Sequence, residues 1–223
     1  MSAAAPAPRA PVVIVISGRG SNMRALIEAS LRADANYQVS QVLSDKADAG
    51  GLAIARELGV PARAIPAQGI TGRERYDASL RDAIEESRPR LVALAGFMRI
   101  LSGNFVQNFS GRLLNIHPSL LPKYKGLHTH RRALAAGDAE HGATVHYVTE
   151  ELDGGPAVLQ ARVPVLPGDD ECSLSARVQR VEHRIFPLAA AWHCAGRLTC
   201  REERAWLDGE LLAAPLQWNE SFR

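Results

Sequence analysis

Five consecutive β-branched residues, Val12-Val13-Ile14-Val15-Ile16, constrain the fold of this chain more than any other stretch. Every side chain in the run is apolar, so a strand built from it must be covered on both faces, the condition of an interior strand in a parallel sheet. Gly18-Arg19-Gly20-Ser21-Asn22 breaks the run, and Met23–Leu31, with Leu26, Ile27 and Ala29, has the pattern of a following helix. Strand, glycine turn and helix in that order form the opening unit of an open α/β sheet.

The rhythm repeats. Val39–Leu43, Ala62–Ile65 and Leu91–Ala95 read as strands. Gly51–Leu58, closed by Gly59, and Gly72–Ser87, with Tyr76, Leu80, Ala83 and Ile84 on one face, read as helices. A helix through Phe105–Phe109 leads to a strand ending at His117. From about Ala143 the pattern changes: Ala143–Val148 and Ala157–Val165 alternate like antiparallel strands, and Cys172–His193 reads as a long helix broken or bent near Pro187. Arg197–Leu212 reads as a terminal hairpin turning at Asp208-Gly209. The expected fold class is therefore α/β: an open, mostly parallel twisted sheet with helices on both faces and a C-terminal half modified by antiparallel elements. One domain over residues 11–214 is expected, with a loose tail at 1–10 and a C-terminal tail at 215–223.

Composition excludes several functions. A net charge of +2 over 223 residues, without long basic runs, argues against a nucleic-acid surface. No apolar stretch approaches the roughly 20 residues of a membrane helix, and residues 1–10 lack the features of a signal peptide. Cys172, Cys194 and Cys200 are odd in number and lack metal-ligand spacing, which suggests reduced thiols and a cytoplasmic protein.

Two segments carry candidate chemistry. Gly18–Asn22 stands where open α/β sheets bind phosphate, with glycines admitting an anion to backbone N–H groups and Ser21 and Asn22 adding donors. A dinucleotide fingerprint would need a third glycine at Met23, although Asp45 imitates its ribose-binding acid; a tight turn that binds nothing is also compatible. The second segment is Asn115-Ile116-His117-Pro118-Ser119-Leu120-Leu121-Pro122. Residues at i and i+2 of a strand share a face, so Asn115 and His117 present an amide donor beside an imidazole. A reaction at a carbonyl carbon needs such a pair, one group to hold the oxygen and one to move the proton. By itself the segment is better read as a strand-end Asn capping a turn and a partly buried His bonded to backbone.

Taken with Leu152-Asp153-Gly154-Gly155-Pro156, Ala95-Gly96-Phe97-Met98-Arg99-Ile100-Leu101, Gly126-Leu127-His128-Thr129-His130, Glu140-His141-Gly142 and Ala205-Trp206-Leu207-Asp208-Gly209, these segments resemble the folate-dependent formyltransferases from about Pro11 to Leu212. The closest resemblance is to the branch that formylates glycinamide ribonucleotide in purine biosynthesis. It implies a Rossmann-like formyltransferase fold and 10-formyltetrahydrofolate as co-substrate, with no metal. The partners would be small-molecule substrates, without nucleic acid or membrane, acting on a monomer or homodimer. It further implies Asn115, His117 and Asp153 as the catalytic trio, with Asp153 favouring the charged imidazolium. Gly20, Ser21, Asn22, Gln179 and Glu182 would hold the nucleotide. Arg73, Met98, Arg99, Ile100, Leu101 and Asn115, with Thr149, Glu150, Glu151, Leu152 and Asp153, would hold the folate. Arg19 and Lys125 depart from the family pattern.

Related enzymes share the Asn-x-His and Asp elements. A methionyl-tRNA formyltransferase is expected to carry a further C-terminal domain, and a formyltetrahydrofolate hydrolase an extra N-terminal one, for which 223 residues are not expected to leave room. A metallohydrolase using His117, His128, His130 and Asp153 is the alternative of a different class, though no third ligand has telling spacing. A nucleotide-binding protein without catalysis would share the fold. Ser119 lacks the Gly-x-Ser-x-Gly surroundings of a serine nucleophile.

Overall fold

The strand formed by the opening apolar run, β1 (Ala10–Ile16), lies between two parallel neighbours, and Val12 to Ile16 are fully buried. The computed structural model describes residues 8–66 and 72–219. After β1 come α1 (Ser21–Ser30), β2 (Tyr37–Ser44), α2 (Gly50–Glu57), β3 (Ala62–Ala64), α3 (Arg73–Glu85), β4 (Leu91–Leu94), α4 (Gly103–Asn108) and β5 (Leu113–His117). These five strands are parallel in the order β3-β2-β1-β4-β5. The second half comprises α5 (Thr129–Ala135), β6 (Glu140–Tyr147), β7 (Ala157–Pro164), α6 (Glu171–Cys194), β8 (Leu198–Arg201), β9 (Arg204–Leu207), β10 (Glu210–Leu211) and β11 (Leu216–Gln217). β6 adds to β5 antiparallel, β7 to β6 antiparallel, and β11 to β7 parallel, completing an eight-stranded sheet.

Alternation along β1 divides the core. Val12, Ile14 and Ile16 join Met23 and Leu26 of α1, Leu52 of α2, and Leu174, Val178, Ile185 and Phe186 of α6. Val13 and Val15 face the other way, onto Tyr76, Leu80 and Ile84 of α3 and Phe105 of α4. The chain leaves β1 toward β2 and β3, then crosses back to β4 on the other side. The two loops that part at this switch are tied together: Ser17 N donates to Gly96 O at 3.1 Å, and Met98 N donates to Ser17 Oγ at 2.9 Å.

Four local expectations change. α6 continues through Pro187 without a break, its start fixed by reciprocal capping between Asp170 and Ser173. The expected terminal hairpin is a three-stranded antiparallel sheet, β10-β9-β8. Its extra turn, Glu202-Glu203, has φ of 50° and 54° at residues that give no glycine or asparagine signal. Segment 215–223 contributes β11, with residues 220–223 outside the described part, as are residues 1–7 of the N-terminal segment. Within that N-terminal segment, Ala10 already belongs to β1 and Arg9 donates to Ser30 O at 2.9 Å. Among the described residues no helix is long and apolar enough to cross a membrane.

Beneath the sheet, His193 of α6 is closed in on both sides: Tyr147 Oη lies 2.8 Å from its Nδ1, and Arg90 O 3.2 Å from its Nε2. The carbonyl can only accept, so the ring is neutral with its proton on Nε2. Burial pushes its pKa down to about 4 from 6.5, and burial does the same for His141. The unfolded chain therefore takes up protons between about pH 6.5 and 4 that the folded chain refuses. Stability should be level above pH 6.5 and fall through that window as pH is lowered. Urea unfolding at pH 7.5 and pH 5 should differ by about 1–2 kcal/mol from His193, and His193→Gln should flatten the dependence. A midpoint independent of pH would contradict this.

Candidate active site

The central strands β1 and β4 are apolar along their length, and polar side chains gather where β5 ends. Asn115 and His117 occupy the last turn of the pleat in β5 and share a face. Antiparallel pairing sets His146 of β6 opposite Asn115 and Thr144 opposite His117. His146 is buried; its Nδ1 lies 2.9 Å from Tyr147 O and its Nε2 3.1 Å from Asn115 Nδ2. The carbonyl fixes the ring proton on Nδ1, and burial lowers the pKa of the ring, so neutral His146 accepts from the Asn115 amide through Nε2. That bond orients Asn115 and leaves its second N–H for another acceptor.

His117 is held between two acceptors. Its Nε2 lies 2.9 Å from Tyr124 O, and its Nδ1 lies 3.3 Å from Asp153 Oδ2. A ring facing a carbonyl and a carboxylate is fully satisfied only with a proton on each nitrogen. The Tyr124 carbonyl owes its place to side chains beneath the 118–124 loop. Thr144 Oγ1 donates to Ser119 O at 2.6 Å, Leu121 N donates to Thr144 Oγ1 at 3.1 Å, and Gln160 Nε2 donates to Leu121 O at 2.7 Å. Ser119 Oγ donates to Lys123 O at 2.6 Å, so the serine is engaged in the loop itself.

Asp153 is set from the β6–β7 connection in a left-handed conformation, φ 49°. Its Oδ2 also accepts from Gly126 N at 2.8 Å, and its Oδ1 lies 3.7 Å from His146 Nε2, a contact with a neutral ring rather than an ion pair. Gly155 makes the turn feasible, because an added Cβ would stand 2.0 Å from Tyr147 O. Lys125 pairs with Glu151 at 2.7 Å and joins the 125 and 151 loops.

The glycine loop forms a second locus. Gly20, φ 76°, precedes α1, whose start has no side-chain cap and no acid in its first turn. A Cβ on Gly20 would stand 3.0 Å from Gly51 Cα, and Gly51 N donates to Gly18 O at 3.1 Å. The loop is thus built on backbone packed against backbone. From α6, Gln179 Nε2 donates to Ser21 Oγ at 2.9 Å, and Asn22 Nδ2 donates to Glu182 Oε2 at 2.8 Å. Burial raises the Glu182 pKa, and Asn22 Oδ1 is buried with no hydrogen-bond partner among the described residues. Arg19 is exposed beside them.

The residues expected around folate form a rim. Met98, Ile100 and Leu152 are exposed apolar side chains, while Leu101 packs on the core. Arg99 lies 4.4 Å over the Tyr76 ring, and Ser102 N donates to buried Asp77 Oδ2 at 2.7 Å, so α3 holds this loop. Thr149 is half-buried, Glu150 Oε1 accepts from Gln107 at 2.9 Å, and Glu151 is engaged by Lys125, so both acids have partners on the protein. Arg73 opens α3 and is exposed.

Sequence reading did not single out His146 or Tyr124. A His and a Thr two apart in an otherwise apolar strand were the available signal for the first; nothing local marks a backbone carbonyl. Asp45 Oδ1, at the end of β2, is buried without a partner among the described residues. His130 Nδ1 lies 3.2 Å from His141 Nε2, and among the described residues no three His, Cys, Asp or Glu side chains are grouped to hold a metal ion.

An amide, an imidazole and a carboxylate converging at strand ends, beside an uncapped helix start, make an α/β enzyme site suited to moving an acyl-type group. Residues 10–190 match the formyl transferase family model, and the chain belongs to this family. It is 54% identical over 201 residues to the phosphoribosylglycinamide formyltransferase of Escherichia coli strain K12, covering 90% of this chain and 95% of that protein. It is 43% identical over 194 residues to the human trifunctional purine biosynthetic protein adenosine-3, covering 87% of this chain and 19% of that protein. The structure of the phosphoribosylglycinamide formyltransferase from Coxiella burnetii superposes with a TM-score of 0.89 at 43% identity, covering 94% of this chain and all of that one.

Gly155→Ala is expected to force the turn off Tyr147, lowering stability by about 1–3 kcal/mol and drawing Asp153 from His117. Gly50→Ala, where an added methyl meets nothing within 4 Å, is the control. Urea midpoints for the two variants check this, and equal midpoints would remove the steric argument.

Proposed function

We propose that this enzyme transfers the formyl group of 10-formyltetrahydrofolate to the amine of glycinamide ribonucleotide in purine biosynthesis. The observation that carries the reading is His117 held between Tyr124 O and Asp153 beside the oriented Asn115 amide; the similarity to phosphoribosylglycinamide formyltransferases supports it. The amine nitrogen attacks the formyl carbon, forming a C–N bond and placing negative charge on the formyl oxygen. The free Asn115 N–H and protonated His117 receive that charge. The attacking nitrogen then loses a proton, the bond from carbon to folate N10 breaks, and N10 takes up a proton. The Nδ1 proton of His117, whose contact with Asp153 at 3.3 Å is the longer of the ring's two, is suited to be handed over while Nε2 keeps its bond to Tyr124 O, with no metal required.

The acceptor's phosphate is assigned to the backbone N–H groups of Gly20–Asn22 at the start of α1, where the helix dipole favours an anion. Glu182, Gln179 and the unpartnered Asn22 Oδ1 suit the ribose and glycinamide beyond it. The folate is assigned to the space between Met98–Leu101 and Thr149–Asp153, where apolar side chains can flank a flat ring and backbone groups can read its edge. Arg73 is assigned to its glutamyl tail. Soluble substrates and the reduced cysteines suit a cytoplasmic site of action.

Supplying 10-formyltetrahydrofolate with glycinamide ribonucleotide, and separately with water alone, tests the reaction. Formyl loss should require the nucleotide; equal loss in water would make the enzyme a hydrolase. His117→Asn and Asp153→Asn should each lower kcat by about 100-fold or more, and the double variant should lose far less than the product of the two. Multiplicative losses would separate the pair. For the phosphate, Ser21→Glu places a charge at the helix start and should raise KM for the nucleotide about tenfold with KM for the folate unchanged. Equal rises in both constants would make the loop merely structural.

A further inference from the structure

His117 depends on a backbone carbonyl that its own strand does not supply. Tyr124, whose oxygen accepts from His117 Nε2, is a non-glycine residue at φ 58°, a left-handed conformation that a side chain with a Cβ adopts only under constraint. Its ring provides the constraint. The Tyr124 hydroxyl donates to Asp138 Oδ2 at 2.7 Å, and Lys123 Nζ donates to both oxygens of the same carboxylate, at 3.0 and 3.2 Å. The Arg132 guanidinium lies 5.1 Å over the ring, while Arg132 Nη1 donates to Lys125 O at 2.7 Å. His141 meets the ring edge-on at 6.1 Å. Asp138, just before β6, therefore grips two successive residues of the loop on which the His117 acceptor is carried. The Tyr124 hydroxyl and the Lys123 ammonium hold its carboxylate below the ordinary range, so it stays charged at neutral pH.

We propose that Asp138 is a positioning residue for formyl transfer: by clamping Tyr124 and Lys123 it fixes the Tyr124 carbonyl against His117 Nε2 and so sets the imidazole's orientation toward Asp153. This rests on His117 being the group that handles charge and proton in the reaction. Asp138 has no direct contact with His117. Its loss lets the Tyr124 peptide relax and the imidazole turn, which weakens an interaction made at the reacting atoms and leaves substrate contacts in place.

The test uses Tyr124→Phe, which removes one oxygen and keeps ring and carbonyl, with Asp138→Ala and Asp138→Asn. Tyr124→Phe and Asp138→Ala should lower kcat by roughly 5- to 30-fold, with KM for both substrates within about twofold. Asp138→Asn keeps an acceptor for the Tyr124 hydroxyl and should recover most of the rate. Nitrogen-15 NMR of the His117 ring reads the orientation directly and should change in Tyr124→Phe even where stability does not. Unchanged kcat and ring spectrum in Tyr124→Phe, with activity abolished in His117→Asn, would overturn the proposal. Full activity in His117→Asn would instead remove the reading on which it rests.

Discussion

The central strands β1 and β4, covered on both faces, carry no polar side chain, and this exclusion organises the molecule. The fully buried β1 run forces helices onto both sides of the sheet. Chemistry is thereby confined to the strand ends, where chain direction changes and backbone groups come free. The reversal of strand order around β1 parts two loops at one edge, and the bonds from Ser17 to Gly96 and Met98 keep them adjacent. The glycine loop and the Met98–Leu101 rim are neighbours for this reason.

The antiparallel strand β6 is the one departure from the parallel pattern that the site cannot do without. A parallel strand beside β5 would bring its opposite end to His117. β6 instead sets His146 and Thr144 against Asn115 and His117, and its continuation returns as the turn carrying Asp153. Three kinds of restraint meet on one imidazole: a cross-strand register, a loop pinned by buried hydroxyl and amide groups, and a carboxylate fixed by a backbone N–H. Each has its own structural origin, and the carbonyl and the carboxylate hold different nitrogens of the His117 ring.

The sequence made most of this legible because its strongest signals are periodic. Continuous apolar runs gave the interior strands; alternation in Ala143–Val148 and Ala157–Val165 marked the antiparallel ones. Asn115, His117 and Asp153 stood out as polar residues at strand ends and at a glycine turn, and the fold brings them together. What stayed hidden was set by tertiary context. The Glu202-Glu203 turn takes left-handed angles without the residues that favour them, because pairing of β8 with β9 demands a tight reversal. α5 is a seven-residue helix with no side-chain hydrogen bond capping its start, too short to leave a clear period. The roles of His146 and Tyr124 depend on a register and on a main-chain oxygen, neither of which is written in local residue types.

The pairing of α1 with α6 has a consequence for how the protein comes into being. Ser21 and Asn22 find their side-chain partners 158 and 160 residues further along the chain. During synthesis the glycine loop emerges early, beside strands that can already begin to associate, yet its polar groups stay open to water until α6 has been made and docked. The polar surroundings of that loop are therefore among the last features the nascent polypeptide completes. A chain interrupted between Pro164 and Gln179 would hold seven of the eight strands of the main sheet while lacking the α6 side chains that meet Ser21 and Asn22.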